Sequence, residues 1–162
     1  MLTHVNEQGQ ANMVDVTDKN NTVRIATAQG TISMNSQTIA AIKDNSNKKG
    51  DVIATARIAG IQAAKKCADL IPLCHPLALT KVELNFDIDE SSQLIHVTGM
   101  CKLTGKTGVE MEALTAVSVA LLTLFDMCKA SDPLMEMSGI KVIDKQGGKT
   151  GHWQRSERDI HE

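Results

Sequence analysis

Between Ala113 and Cys128 the chain carries one charged residue, Asp126, set among Leu121, Leu122, Leu124, Phe125 and Met127. A carboxylate buried in such company without a partner costs several kcal/mol. Lys129 stands three residues later, on the same face of a helix, where its ammonium can reach the carboxylate. Two readings stay open. The pair is either a helix-end ion pair facing water, worth at most about 1 kcal/mol, or an acid and a base in a cleft, each tuned by neighbouring charge and partial burial.

Other residues could bind a ligand. Lys48, Lys49 and Gly50 precede a helix expected to begin near Asp51. Glycine admits a ligand to the backbone and a helix N-terminus favours anions, so a phosphate fits there; a solvated lysine pair in a turn is the plainer reading. Glu110 and Glu112 flank Met111 at the start of the longest expected helix. The helix dipole alone favours them there, although they could also hold an amine or a guanine-type edge. His75 lies in the rigid Pro72 to Pro76 bracket beside Cys74, which invites a metal. Zinc needs about four ligands at recognisable spacing, and His4, His96, His152 and His161 form no such set. No metal site is therefore expected, and His75 reads better as a phosphate or base contact. Gly105-Lys106-Thr107 and Gly148-Lys149-Thr150 resemble the end of a P-loop. The glycine required five residues earlier is replaced by Met100 and Ile143, so both remain simple lysine-bearing, anion-binding loops.

These side chains need a frame. Val23 to Met34 is rich in β-branched residues and reads as a strand or hairpin. Ser36 offers an N-cap for a short helix through Ile42, and Asp51 one for a longer helix with Ile53, Ala56, Ala59, Gly60, Ala63 and Cys67 on a small-residue face. Lys81 to Asp89 and Gln93 to Leu103 alternate as paired strands. A helix from Glu110 to about Ala130 is ended by Ser131, Asp132 and Pro133, and a last strand covers Met135 to Ile143. This order predicts an α+β, ferredoxin-like sandwich, an antiparallel sheet with helices packed on one face. Residues 1–151 are expected to form a single catalytic domain and residues 152–162 a polar, mobile C-terminal tail.

Composition narrows the function. The 162 residues are 42% hydrophobic with a formal charge of -2, enough for one core and without the basic footprint of a nucleic-acid binder. Phe86, Phe125 and Trp153 are the whole aromatic set, too few for stacking on single strands. Cys67, Cys74, Cys101 and Cys128 lack any C-x-x-C pair and read as reduced thiols that pack as small hydrophobes. Met1 to Gly9 is polar, with no apolar h-region, so a soluble, cytoplasmic protein without membrane or nucleic-acid partners is expected.

Several blocks together resemble one family. Met13-Val14-Asp15-Val16, Lys49-Gly50-Asp51-Val52, Ala54 to Ile61, Leu70 to Leu77, Leu103 to Ala116 and Asp126-Met127-Cys128-Lys129 are similar to the cyclic pyranopterin monophosphate synthases, the MoaC family of molybdenum-cofactor biosynthesis. The resemblance implies a lyase and cyclase that turns 3',8-cyclo-7,8-dihydroguanosine 5'-triphosphate into cyclic pyranopterin monophosphate with loss of diphosphate. It places Lys49, Asp126 and Lys129 as catalytic residues, and Leu73, Cys74, His75, Glu110, Met111 and Glu112 along the substrate pocket. Arg24, Lys145 and Lys149 match further phosphate-side positions. It implies no tightly bound cofactor, leaves room for Mg2+ carried by the triphosphate, and implies a homohexamer, a trimer of dimers, with sites at subunit interfaces. On that view Lys49, His75 and the Asp126–Lys129 pair need not converge in one chain, and mixed Lys49→Ala and Asp126→Ala subunits should recover activity. The competing reading is a non-catalytic, ferredoxin-like module that senses a nucleotide or small metabolite.

Overall fold

The computed structural model describes residues 3–47 and 49–156. In chain order the elements are β1 (Thr22–Ser33), α1 (Ser36–Lys43), α2 (Val52–Lys65), the short α3 (Cys67–Leu70), β2 (Lys81–Asp89), β3 (Leu94–Gly105), α4 (Glu110–Cys128), β4 (Glu136–Gln146) and β5 (His152–Gln154). The strands form one sheet in the order β2-β3-β1-β4-β5, and every neighbouring pair is antiparallel. Its first four strands, with α1 to α3 between β1 and β2 and α4 between β3 and β4, make the expected ferredoxin-like α+β sandwich.

Alternation sets the buried face. On β1 it is Ala26, Ala28, Gly30 and Ile32, and on β3 it is Ile95, Val97, Gly99, Cys101 and Leu103. Small residues recur on this face because α4 lies directly on it: a Cβ on Gly99 would stand 2.9 Å from Val117 Cγ2. Beside α4 packs α2, whose Gly60 faces the Ala116 carbonyl; a Cβ there would come within 2.8 Å of that oxygen. By length and apolar content α4 could cross a membrane. Here Ala113, Ala116, Val117, Ala120, Leu121 and Leu124 are fully buried, and the helix is the spine of the core.

The longer helix expected to carry Cys67 ends at Lys65, and Cys67 opens the separate α3 because the chain leaves helical geometry at Lys66 (φ -111°, ψ 15°); local chemistry differs from the sequence reading in three further places. Asn35 rather than Ser36 caps α1, its side chain accepting from Thr38 N at 2.8 Å. The Asn35 N–H in turn donates to the nearly buried Asp132 carboxylate at 2.7 Å, which ties the start of α1 to the end of α4. Secondly, β4 runs on to Gln146, since its ladder with β1 continues to Ile25 after two register shifts. Thirdly, His152, Trp153 and Gln154, expected to start the mobile tail, pair with Gln146, Lys145 and Asp144. All three are exposed, so no hydrophobic alternation marks them, and backbone pairing holds the strand. His152 Nε2 to Asp144 Oδ2 at 2.7 Å and Arg155 Nε to the Val142 carbonyl at 2.8 Å secure it. Residues 157–162 of that expected tail lie outside the described part.

Candidate active site

At the C-terminal end of α4, three of the expected residues meet within one chain. Lys129, the C-cap residue of α4, donates from Nζ to Asp126 Oδ1 at 2.8 Å. Lys49 donates from Nζ to the Asp126 backbone carbonyl at 2.9 Å. The loop bearing Lys49 is held by Asn47, whose side chain accepts from Lys49 N at 2.9 Å and reaches the Met127 carbonyl at 3.5 Å. Lys48 lies outside the described residues. The Asp126 and Lys129 side chains are 64% and 55% exposed, so the desolvation cost that made Asp126 suspicious does not arise. Its carboxyl is held below the usual range by the hydrogen bond from Lys129 and then by the charges of Lys129 and Lys49. The result is an ionised carboxylate flanked by two ammonium groups on open surface.

At the other end of α4 lies a cavity of about 710 Å³ whose wall includes Leu73, Cys74, His75, Glu110, Met111 and Glu112. The two prolines hold the segment before β2 out of helix, presenting the first three of these residues to the start of α4. His75 Nε2 lies 2.6 Å from the Val14 carbonyl, so this nitrogen carries the proton, and the N-terminal arm closes one side of the cavity. Val14, Val16 and Lys19 also line it. No chemical pattern in the sequence marks Lys19, which stands in an ordinary polar stretch.

The two glutamates differ. Glu110 Oε1 is paired with Lys145 Nζ at 3.1 Å. Glu112 is 2% exposed, and burial raises its pKa from the ordinary carboxyl value. Its Oε1 accepts from Cys74 Sγ at 3.6 Å, while Oε2 has no hydrogen-bond partner among the described residues. Helix-dipole preference explains Glu110 but not a buried Glu112. Burial, with the Glu112 charge second, pushes the Cys74 thiol up to about 12. Cys67, singled out by nothing in the spacing, packs against Cys74 with the sulfurs 3.9 Å apart.

Of the cations expected on the phosphate side, Lys145 is the one paired with Glu110. Arg24 Nη2 donates to the Lys106 carbonyl at 3.3 Å, and its buried Nε has no hydrogen-bond partner among the described residues. Gly147 and Gly148, at φ of +98° and +77°, fold over Arg24; a Cβ on Gly148 would strike the guanidinium. Lys149 follows them on an exposed loop. The chain thus assembles one group around Glu110, Glu112 and His75 and another around Asp126. Sixteen residues of α4 separate Glu110 from Asp126, about 24 Å at about 1.5 Å per residue. His75 lines the cavity beside Glu110, while Lys49, which was also expected to be free to lie apart from the Asp126–Lys129 pair, meets that pair within one chain.

Among solved structures, a mutant of the ferredoxin protease FusC in complex with Arabidopsis ferredoxin is similar over 64% of this chain and 10% of its own, at 9% identity and a TM-score of 0.32. A likeness so loose carries no argument. The MoaC family matches residues 13–148, a stretch that includes both groups of residues just described. This chain belongs to the MoaC family and, with it, to molybdenum-cofactor biosynthesis.

Proposed function

We propose that the protein is a cyclic pyranopterin monophosphate synthase, converting 3',8-cyclo-7,8-dihydroguanosine 5'-triphosphate to the cyclic monophosphate and diphosphate. The observation that carries this reading is the convergence of Lys49 and Lys129 on Asp126. Opening the guanine-derived ring and closing the pterin require successive proton transfers, and two lysines held at one residue, Lys129 by the Asp126 carboxylate and Lys49 by its backbone carbonyl, can give and take those protons. In the second stage a sugar hydroxyl forms a bond to the α-phosphorus, the bond to the β-phosphate oxygen breaks, and diphosphate leaves. Cations stabilise the charge that develops; Arg24, Lys145 and Lys149 suit that task, together with Mg2+ if the triphosphate carries it. No step calls for a resident cofactor. Glu110 and Glu112 would receive the amine edge of the ring system, between Leu73, Cys74, His75 and Met111.

The separation of the two groups along α4 favours a site shared between chains, the Lys49 group of one subunit closing the cavity of another. That arrangement fits a homohexamer built as a trimer of dimers, working in the cytoplasm on a small molecule. Purified protein incubated with enzymatically prepared substrate should release diphosphate and yield the pterin product, detected by fluorescence after oxidation. Lys49→Ala and Asp126→Ala should remain folded and lose turnover by at least about 100-fold. Wild-type protein that binds the triphosphate yet forms neither product would instead be a metabolite sensor.

A further inference from the structure

Cys67, Cys74 and Glu112 meet where α3, the Pro72 to Pro76 segment and α4 come together. The sulfurs are 3.9 Å apart, Cys74 Sγ is 3.6 Å from Glu112 Oε1, and all three donor atoms lie within 4.8 Å of one another. A tetrahedral zinc ion with Zn–S near 2.3 Å and Zn–O near 2.0 to 2.2 Å sets its ligands about 3.8 Å apart for two sulfurs and about 3.5 Å for sulfur and oxygen. Two edges of such a tetrahedron are already close to length. Glu112 is 2% exposed, its Oε2 is unpartnered, and no ion pair reaches it among the described residues. A buried carboxylate in that condition is what a bound cation relieves. The Thr115 hydroxyl, 3.5 Å from Cys67 Sγ, is placed to donate to a coordinated thiolate.

We infer that these three residues form an exchangeable site for a soft divalent cation of the zinc class, with its fourth position open to the cavity. Thiolate pairs select such ions over magnesium or calcium. Cys74 and Glu112 both line the cavity, which supplies the entry path and a place for a fourth ligand from solvent. Binding takes both thiols as thiolates and releases their protons to water. A cation held there also draws Glu112 away from the amine edge it would otherwise receive, so metal and substrate compete; this last clause alone rests on the function proposed above.

The test is to titrate reduced, metal-stripped protein with Co2+ and then displace it with Zn2+. One equivalent per chain should produce sulfur-to-cobalt charge-transfer absorption, and zinc should abolish it. Cys67→Ser, which leaves the cavity-lining groups in place, should lose the absorption and bind zinc at least about tenfold more weakly. Cys74→Ser should do the same and decides the matter if Cys67→Ser does not fold. Cys128→Ser, at the far end of α4, should behave as wild type. Absence of thiolate-to-cobalt absorption in the wild type, or its survival in both variants, overturns the site. In active enzyme zinc should raise KM in the wild type and not in Cys67→Ser; an unchanged wild-type KM overturns the competition. Without turnover, the cobalt spectrum still decides the metal site.

Discussion

A carboxyl group is defined by what surrounds it, and Asp126 and Glu112 show this in opposite directions. Asp126 lies in the most apolar stretch of sequence yet faces water, since α4 turns its side chain away from the sheet. Glu112 looks like a routine helix-start acid and is buried. Because burial raises its pKa above the ordinary 4.5, the folded state holds a proton that the unfolded chain gives up between 4.5 and the raised value. Stability must then increase as pH falls through that window, and the penalty is complete above it. Glu112→Gln removes the ionisation, so its thermal midpoint should exceed that of wild type at neutral pH and converge with it near pH 4.5; midpoints recorded across that range check the sign. The sequence revealed Lys129 as a partner because three residues in a helix share a face. It could not reveal Lys49 as another by spacing, since 77 positions separate it from Asp126; the family resemblance named Lys49 as catalytic without placing it beside Asp126 in the same chain. Cys67 escaped both routes, because its partners come from two other parts of the chain, the Pro72 to Pro76 segment and α4.

Elements were legible wherever one face is buried. β2 begins and ends where alternation said it should, at Lys81 and Asp89, and Asp51 caps α2 through Ala54 N at 2.9 Å. β5 was not legible, because three exposed residues paired through their backbone carry no pattern. The small-residue face of α2 was read correctly in kind, and its reason is Gly60, set against a carbonyl that cannot move aside. Ala normally gains about 1 kcal/mol over Gly inside a helix. Gly60→Ala should nevertheless destabilise the protein, by about 1 to 3 kcal/mol from overpacking. Urea denaturation of the two proteins measures the difference, and a more stable variant would mean that α2 and α4 can part without cost.

At the scale of the molecule, the length of α4 decides how subunits can complement one another. Lys49 and Asp126 act from the same end of one chain, so Lys49→Ala and Asp126→Ala subunits damage the same half-site and should not rescue each other, contrary to the expectation from sequence. Lys49→Ala mixed with His75→Ala should rescue, because one class of shared site then receives both intact halves. Random pairing makes half the dimers mixed, each with one sound site of two, so about a quarter of wild-type turnover is expected. Absence of activity in both mixtures would place the two groups in a single chain's site.

The pairing of β5 with β4 also makes the protein its own optical reporter. The chain contains one tryptophan and no tyrosine, and that indole, Trp153, sits on the last strand, 37% exposed and 5.7 Å from the Arg155 guanidinium. Its emission therefore registers the docking of a three-residue edge, whereas far-ultraviolet circular dichroism registers the helices. With so little buried surface holding it, the edge should peel away first. In urea the fluorescence transition should precede the dichroism transition, and a single shared midpoint would show that the last strand and the core melt as one.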